Sequence, residues 1–445
     1  MNHEKADVSN IYSLDGRVPV GKAIPFGLQH VLAMFVSNVT PIILISGVAL
    51  IDGQPFSTAD TARLIQAAML IAGLGTLIQL YPVWKVGARL PVVMGLSFTF
   101  LSPMMLLASR DYGIMIGAVM VGGCIEGILG LTAKYWRRFI TPVVSACVVT
   151  TIGFSLLSTG ISTLASSGAY PIGSWQNLAV GGITLLACLL FHTFTKGFMK
   201  NLYVLMGLAV GYVISIFFGM VDFSSMMATV NELGFVSFPR LFATAPKFDL
   251  GAIVSVTLVF LVSAAETIGD TTAICQGGLG RDITEREVSG SLCCDGFMSA
   301  VSAGVFGCSP ITSFSQNVGL VAMTKVVNRF TIMFGALTLI ISGLFPPIGA
   351  FFSTLPSCVL GGCTVIMFGA IIVSGITMLN SIPWNEKTTL IVATSLCVGI
   401  GVTQVDGFFA AFPPVVGDIF AGNPVAGVFV VAMIMSLIIP DRKNA

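Results

Sequence analysis

The chain has 445 residues, of which 55% are hydrophobic and 9% charged, with a formal net charge of +1. Soluble globular chains carry about 25% charged residues, so a largely water-facing surface is excluded and lipid is the expected solvent. Near-neutral charge without basic patches interleaved with aromatics also excludes a nucleic-acid partner.

Residues 1–23 are polar and read as a tail, with no apolar core and cleavage site of a removable signal peptide. Beyond them, apolar runs recur at about the 20-residue length that spans a bilayer. They fall at 24–51, 64–82, 91–108, 113–132, 139–161, 175–194, 202–220, 251–274, 291–306, 310–324, 330–350, 354–378, 388–405 and 422–440. The expected fold class is therefore an all-α polytopic membrane protein with fourteen transmembrane segments. The long polar connections, 221–250 and 276–290, are too short for a soluble domain. The first divides the chain into seven segments and seven, and an odd number per half inverts the second half relative to the first, a common plan for secondary transporters.

Cytoplasmic loops collect Lys and Arg. With the N-terminus inside, the inner connections hold Lys5, Arg17, Lys22, Lys85, Arg89, Lys134, Arg137, Arg138, Lys196, Lys200, Arg281, Arg286, Lys325, Arg329, Lys387, Arg442 and Lys443. The outer ones hold Arg63, Arg110, Arg240 and Lys247. That asymmetry places both termini in the cytoplasm of a multi-pass protein of the inner membrane.

Several polar residues stand inside apolar segments, where charge costs about 2.5–3.5 kcal/mol on insertion scales. Gln29 and His30 lie in the first segment; a lone membrane histidine either gates protons or satisfies a helix–helix hydrogen bond. In the third, Pro91, Gly95 and Pro103 interrupt the run around Ser97-Phe98-Thr99-Phe100, and Phe98 offers a flat apolar face to an aromatic ligand. Glu126 sits among glycines in the fourth and is expected to face the bundle interior. His192 lies near a segment end and reads as interfacial.

Glu266 and Asp270 in the eighth segment are four residues apart and share a helical face. Two carboxylates so placed repel, which suits a group that exchanges a coupling proton. An ionised carboxylate also accepts from a ligand N–H edge. The alternative is a capping role near Gly277-Gly278. Asp295, near the expected inner start of the ninth segment, reads either as functional or as a snorkelling or capping residue. In the tenth, Ser315-Gln316-Asn317-Val318-Gly319 leads to Met323-Thr324-Lys325. The Gln316 amide matches a heterocycle edge that presents a carbonyl beside an N–H. Pro310 and Gly319 bracket this stretch and predict non-helical backbone, which membranes tolerate only where it is buried or lines a cavity. Interrupted segments in corresponding positions of two halves point to a midplane binding site.

The ten cysteines sit mostly in apolar runs without metal-ligand spacing and read as small buried hydrophobes. No cofactor is expected, and no zinc motif or Gly-x-Ser-x-Gly elbow suggests an enzyme.

The run Gln316-Asn317-Val318-Gly319-Leu320-Val321-Ala322-Met323-Thr324-Lys325 carries the signature of the nucleobase–ascorbate transporter family: Gln-Asn-x-Gly, four variable residues, then Thr and Arg, Lys or Gly. The resemblance covers nearly the whole chain, including Gln29-His30, Gly95 to Phe98, Glu266 to Asp270, and Asp295. It implies two inverted seven-segment repeats, with short antiparallel strands in segments 3 and 10 meeting at the midplane. A core domain would take 24–132 and 251–350, and a gate domain 139–220 and 354–440. Glu266 and Gln316 are similar to the family's main substrate-binding carboxylate and amide. Ser97, Phe98 and Ser315 match pocket-lining positions. Gln29, His30, Asp270, Asp295 and Asn317 match positions that support binding or coupling, and Thr324 and Lys325 positions tied to selectivity. Gln rather than Glu at the first signature position goes with xanthine or uric acid rather than uracil. The resemblance further implies a homodimer, and acidic residues in the membrane with no obvious sodium cage of carbonyl and carboxylate ligands predict a proton as the coupling ion.

The rival readings are a uracil or other nucleobase permease, an anion transporter of the same inverted-repeat architecture, a channel, and an intramembrane protease using Asp270 and Asp295. Acidic rather than basic groups in the membrane argue against an anion, and fourteen segments without a soluble domain argue for transport.

Overall fold

The computed structural model describes residues 7–440. Lys5, Arg442 and Lys443, counted above among the inner charges, lie outside the described residues. A 3₁₀ turn at Val8–Tyr12 leads to α1 (Val20–Ser46), whose interior holds Pro25 and Pro41. A two-strand hairpin, β1 (Leu50–Ile51) and β2 (Gln54–Pro55), precedes α2 (Thr58–Leu80), which starts at a reciprocal cap between Ser57 and Asp60. Strand β3 (Met94–Leu96) then replaces helix in the third apolar run, and α3 (Leu101–Arg110) completes it. Next come α4 (Tyr112–Leu131), α5 (Ala133–Trp136), α6 (Pro142–Ser155), α7 (Leu157–Leu164), α8 (Trp175–Phe194), α9 (Phe198–Asn201), α10 (Tyr203–Phe217) and α11 (Phe223–Leu233).

In the second half, α12 (Leu250–Ala273) ends in a π turn at Ile274–Leu279, and α13 (Glu285–Phe306) opens at a cap between Thr284 and Glu287. Strand β4 (Ile311–Ser313) and α14 (Ser315–Thr324) form the second interrupted run. The chain continues through α15 (Arg329–Gly343), α16 (Pro346–Ser353), α17 (Ser357–Asn380), α18 (Glu386–Gly401), α19 (Pro414–Phe420) and α20 (Pro424–Ile438).

Among the described residues, eight helices are long and apolar enough to cross a membrane, or up to ten if two bent pairs each count as one span. Those pairs, α15–α16 and α19–α20, bend by 77° and 96°. The protein is a multi-pass membrane protein.

The helices pack in two groups. Helices α1, α2 and α4 pack with α12, α13 and α15, whereas α6, α7, α8 and α10 pack with α17, and α18 with α20. Small residues set the crossings, because without a hydrophobic drive between membrane helices close backbone contact carries the association. A Cβ on Gly296 of α13 would sit 2.2 Å from the Gly127 nitrogen of α4. In the other group, a Cβ on Gly375 of α17 would sit 2.4 Å from the Thr150 hydroxyl of α6.

The strands β3 and β4 come from opposite halves of the sequence and pair antiparallel, Met94 with Ser313, Gly95 with Thr312 and Leu96 with Ile311. The pair satisfies only part of the backbone that an interrupted helix leaves free: the Met94, Leu96, Ile311 and Ser313 N–H groups donate instead to the side chains of Thr76, Asn38, Ser299 and Asp295, so that no strand N–H is left bare at membrane depth. Helix ends α3 and α14 follow, so two half-helix N-termini flank the strand pair.

Two local expectations change. Gly319 does not break the backbone: it lies inside α14, and the non-helical stretch is residues 307–314 before that helix. Asp295 is not at a segment start, because the Thr284 cap extends α13 outward and puts Asp295 near its middle, fully buried.

Candidate functional site

A cavity of about 90 Å³ lies where the two helix groups meet at the strand pair. One wall holds Glu266 of α12, Ser315 and Gln316 of α14, and Ser97 and Phe98 after β3. The facing wall is apolar, from Ile152 of α6 and Ile371 of α17. The Phe98 ring stands edge-on to Phe368 of α17, with centroids 5.5 Å apart and planes at 81°. Ligand pockets usually measure roughly 300–1,000 Å³, so these walls stand close together.

Glu266 is held at both oxygens. Thr99 donates its hydroxyl to Oε2 at 2.7 Å, and Ser315 lies 3.4 Å from Oε1. The Ser315 hydroxyl reaches Asp270 Oδ2 more closely, at 2.8 Å, and Ser313 reaches the same oxygen at 3.0 Å. Ser313 Oγ also lies 3.2 Å from Thr267 Oγ1, whose hydroxyl donates to Asp295 Oδ2 at 2.6 Å. Asp295 accepts further from the Ser313 backbone N–H at 3.0 Å and from Gln79 Nε2 at 3.1 Å. A continuous chain of hydroxyls thus joins three carboxyl groups, and buried polar groups linked this way rigidify what they connect. Asp270 is therefore a networked group inside α12, not a cap on its end.

Gln316 is exposed into the cavity in the first turn of α14. Ser315 is the first residue of that helix, whose leading N–H groups lack intrahelical partners. Ser97 caps the turn of Phe98–Phe100 by accepting the Thr99 N–H at 3.2 Å. Donors, acceptors and an aromatic face therefore converge from β3, α12 and α14.

Other candidate residues stand apart from the cavity. Gln29 and His30 are buried in α1, and neither His30 ring nitrogen has a partner among the described residues. The His30 carbonyl accepts from Asn317 Nδ2 at 3.3 Å, so Asn317 joins α14 to α1 rather than lining the cavity. Thr324 and Lys325 lie at the far end of α14. Lys325 has a left-handed φ of 58° and donates its ammonium to the Gly277 carbonyl in the turn after α12. Glu126 is buried between α4 and its neighbours, with neither oxygen partnered among the described residues. His192 is exposed, its ring 5.0 Å from that of Tyr203. Cys124 and Cys397 are exposed, unlike the eight other cysteines.

Sequence reasoning gave no role to Thr99, Thr267 and Ser313 and passed over Gln79, Ile152 and Ile371. Gln79 was findable as a lone amide in an apolar run. The two isoleucines were not, because nothing in an apolar helix marks the residue that meets a distant strand.

The chain matches the model of a permease family over residues 21–408. The xanthine permease XanQ of Escherichia coli is 32% identical, over 99% of this chain and 95% of its own length. The xanthine permease of Bacillus subtilis is 33% identical, over 94% of each. Among solved structures, the transmembrane domain of the cyanobacterial bicarbonate transporter BicA aligns with a TM-score of 0.56 at 14% identity, covering 94% of this chain and 98% of that one. The murine anion transporter Slc26a9 in its inward-facing state aligns with a TM-score of 0.64 at 10% identity, covering 97% and 70%. These two likenesses are of fold alone.

Proposed function

The chain belongs to the nucleobase–ascorbate transporter family, and on that premise we propose that it carries an oxidised purine, xanthine or uric acid, into the cell with a proton. The observation that carries this reading is the cavity wall. A carboxyl group, Glu266, and an amide, Gln316, stand beside the Phe98 ring in one small cavity. A carboxylate accepts ring N–H donors, an amide both donates and accepts, and the ring offers a face to a planar heterocycle. An acidic wall is a poor site for bicarbonate or another anion, the cargo of the two fold neighbours.

The proposed architecture is fourteen segments in two inverted repeats, with a core of 24–132 and 251–350 and a gate of 139–220 and 354–440. The antiparallel pairing of β3 with β4, each followed by a half-helix, supports it. Alternating access would move the gate wall of Ile152, Phe368 and Ile371 against the core wall. Gly269 and Ala273 on α12 and Gly319 and Met323 on α14 are exposed at helical spacing below Glu266 and Gln316. On this reading they mark the way out of the cavity toward Lys325, and the distribution of basic loops supports a cytoplasmic position for that end. The protein is then inward-facing, both termini are cytoplasmic, and the cell membrane is its location. We further propose a homodimer, its interface drawn partly from the gate.

The hydroxyl chain from Glu266 through Ser315, Asp270, Ser313 and Thr267 to Asp295 is the proposed setting for the coupling proton. The test is uptake of labelled xanthine, uric acid and uracil into proteoliposomes, with and without an inward proton gradient. Gradient-driven accumulation of an oxidised purine is expected; uptake that needs sodium and ignores a protonophore would reject the coupling.

A further inference from the structure

Three guanidinium groups converge at the end of the molecule that bears the N-terminal segment. Arg89, Arg286 and Arg329 line a cleft of about 520 Å³ with Tyr81 and Gly87. They come from three places in the sequence: the connection after α2, the first turn of α13 and the start of α15.

The array is built in advance. Arg286 donates to the carbonyls of Trp84 at 2.8 Å and Lys85 at 3.2 Å, and lies 3.4 Å from that of Gly87. Arg329 donates to the Leu80 carbonyl at 2.7 Å and sits 5.2 Å from the centre of the Tyr81 ring. Arg89 adopts a left-handed φ of 61°, and its N–H donates to the Gln79 carbonyl at 2.8 Å. A residue seldom takes that conformation without surrounding structure to enforce it.

One carboxylate meets this array. Asp15 Oδ2 accepts from Arg89 at 3.2 Å, while Oδ1 accepts from Arg329 Nε at 2.9 Å and from its Nη2. Asp15 belongs to the segment before α1, which Asn328 pins by donating to the carbonyls of Ser13 at 3.1 Å and Gly16 at 3.0 Å. Arg286 has no carboxylate within ion-pair distance among the described residues. The cleft therefore keeps an excess of positive charge with an oxyanion already seated in part of it.

We propose that this cleft binds a phosphate group, and that Asp15 is its built-in competitor. Arginine forks match phosphate oxygens two at a time, and they are weakly hydrated enough to give up water for them. The volume lies well inside the range of ligand pockets and far exceeds what one carboxylate fills. In the orientation proposed above this face is cytoplasmic, where anionic phospholipids concentrate and basic pockets between helices take their headgroups. Trp84 and Val83, 74% and 64% exposed, stand at the rim, as residues at a membrane interface do. The phosphate comes either from such a headgroup or from a soluble phosphate. The reading does not depend on which nucleobase is carried.

The experiment titrates the purified full-length protein in detergent with two probes, a short-chain phosphatidylglycerol and inorganic phosphate, and reads binding by calorimetry. Three variants accompany the parent: Asp15→Asn, the pair Arg89→Gln with Arg286→Gln, and the pair Lys134→Gln with Arg137→Gln. The last pair removes equal charge from basic residues near the same end, which lie 3.7 and 3.8 Å from Glu285. Saturable binding is expected, about threefold or more tighter in Asp15→Asn and at least tenfold weaker in the arginine pair, with the control pair unchanged. Binding of phosphatidylglycerol alone identifies a lipid headgroup; binding of inorganic phosphate as well identifies a soluble source. The Asp15→Asn arm stands even if the arginine pair misfolds, because its effect has the opposite sign. Failure of both probes to bind Asp15→Asn overturns the site, as does an equal loss in the control pair.

Discussion

The Thr99 hydroxyl donates to Glu266 Oε2 across 2.7 Å, tying the turn after β3 to the middle of α12. Two segments 167 residues apart thereby fix one carboxyl group at the cavity wall. A hydrogen bond to a charged acceptor contributes about 1.5–3 kcal/mol. Thr99→Val keeps the shape and removes the donor, so apparent affinity for xanthine should fall about tenfold while the protein remains folded. Glu266→Gln goes further: it keeps size and one acceptor but loses the charge and the titration. Uphill accumulation should fail even where counterflow survives. Proton-gradient-driven uptake beside counterflow, at matched membrane expression, checks both. Parent-like accumulation by Glu266→Gln would remove the carboxyl group from the proposed mechanism.

Gln316→Glu should weaken oxidised purines and admit uracil. The change replaces a donor–acceptor group by an acceptor in a cavity that also holds Glu266. Loss of one matched hydrogen bond there costs about 1–3 kcal/mol. Competition of labelled xanthine by xanthine, uric acid and uracil measures the change; identical profiles for parent and variant would show that Gln316 does not read the base.

Asp295→Asn should destabilise the fold as well as transport. Oδ2 already accepts from Thr267 and the Ser313 N–H, and Oδ1 faces the Gln79 amide nitrogen. An asparagine would set donor against donor at Gln79. Gln79 cannot turn over freely, because its Oε1 accepts the Ala88 N–H at 3.0 Å. A buried donor left unpaired costs about 1–3 kcal/mol. A lower melting temperature in detergent, with uptake reduced in parallel, is the expected result, and an unchanged melting temperature would contradict the network.

Lys325→Gly should yield a folded protein with altered rate or selectivity. Its φ of 58° is one that glycine adopts without strain, so the backbone tolerates the change. What is lost is the tether from the ammonium to the Gly277 carbonyl in the turn after α12. Transport kinetics of the variant with xanthine and uric acid test this; parent-like rate and preference would leave Lys325 as a positive-inside anchor.

Glu126→Met should raise thermal stability without loss of uptake. Both carboxyl oxygens are buried without partners among the described residues, and a buried polar group without a hydrogen bond costs about 1–3 kcal/mol on mutational scales. Replacing it with a flexible apolar side chain removes that cost. A melting temperature that rises by a few degrees agrees with an idle group; a loss of uptake at unchanged stability would give Glu126 a role.

Composition and periodicity alone determined that lipid surrounds this protein, because 9% charged residues cannot clothe a soluble surface. The spacing of Glu266 and Asp270 placed both on one helical face, and Pro310 marked a break in the helical backbone, since such local geometry follows from local sequence. The signature beginning at Gln316 carried the family. Tertiary structure decided the rest. It brought Thr99 to Glu266 and Gln79 to Asp295, set Ile152 and Ile371 opposite the polar wall, and left His30 and Lys325 apart from the cavity. It also turned Asp295 from the expected segment start into the buried hub of a network. A hydroxyl or an isoleucine gives no sign of its partner when that partner lies more than a hundred residues away. Such contacts are fixed only when helices from both halves of the chain close around one strand pair.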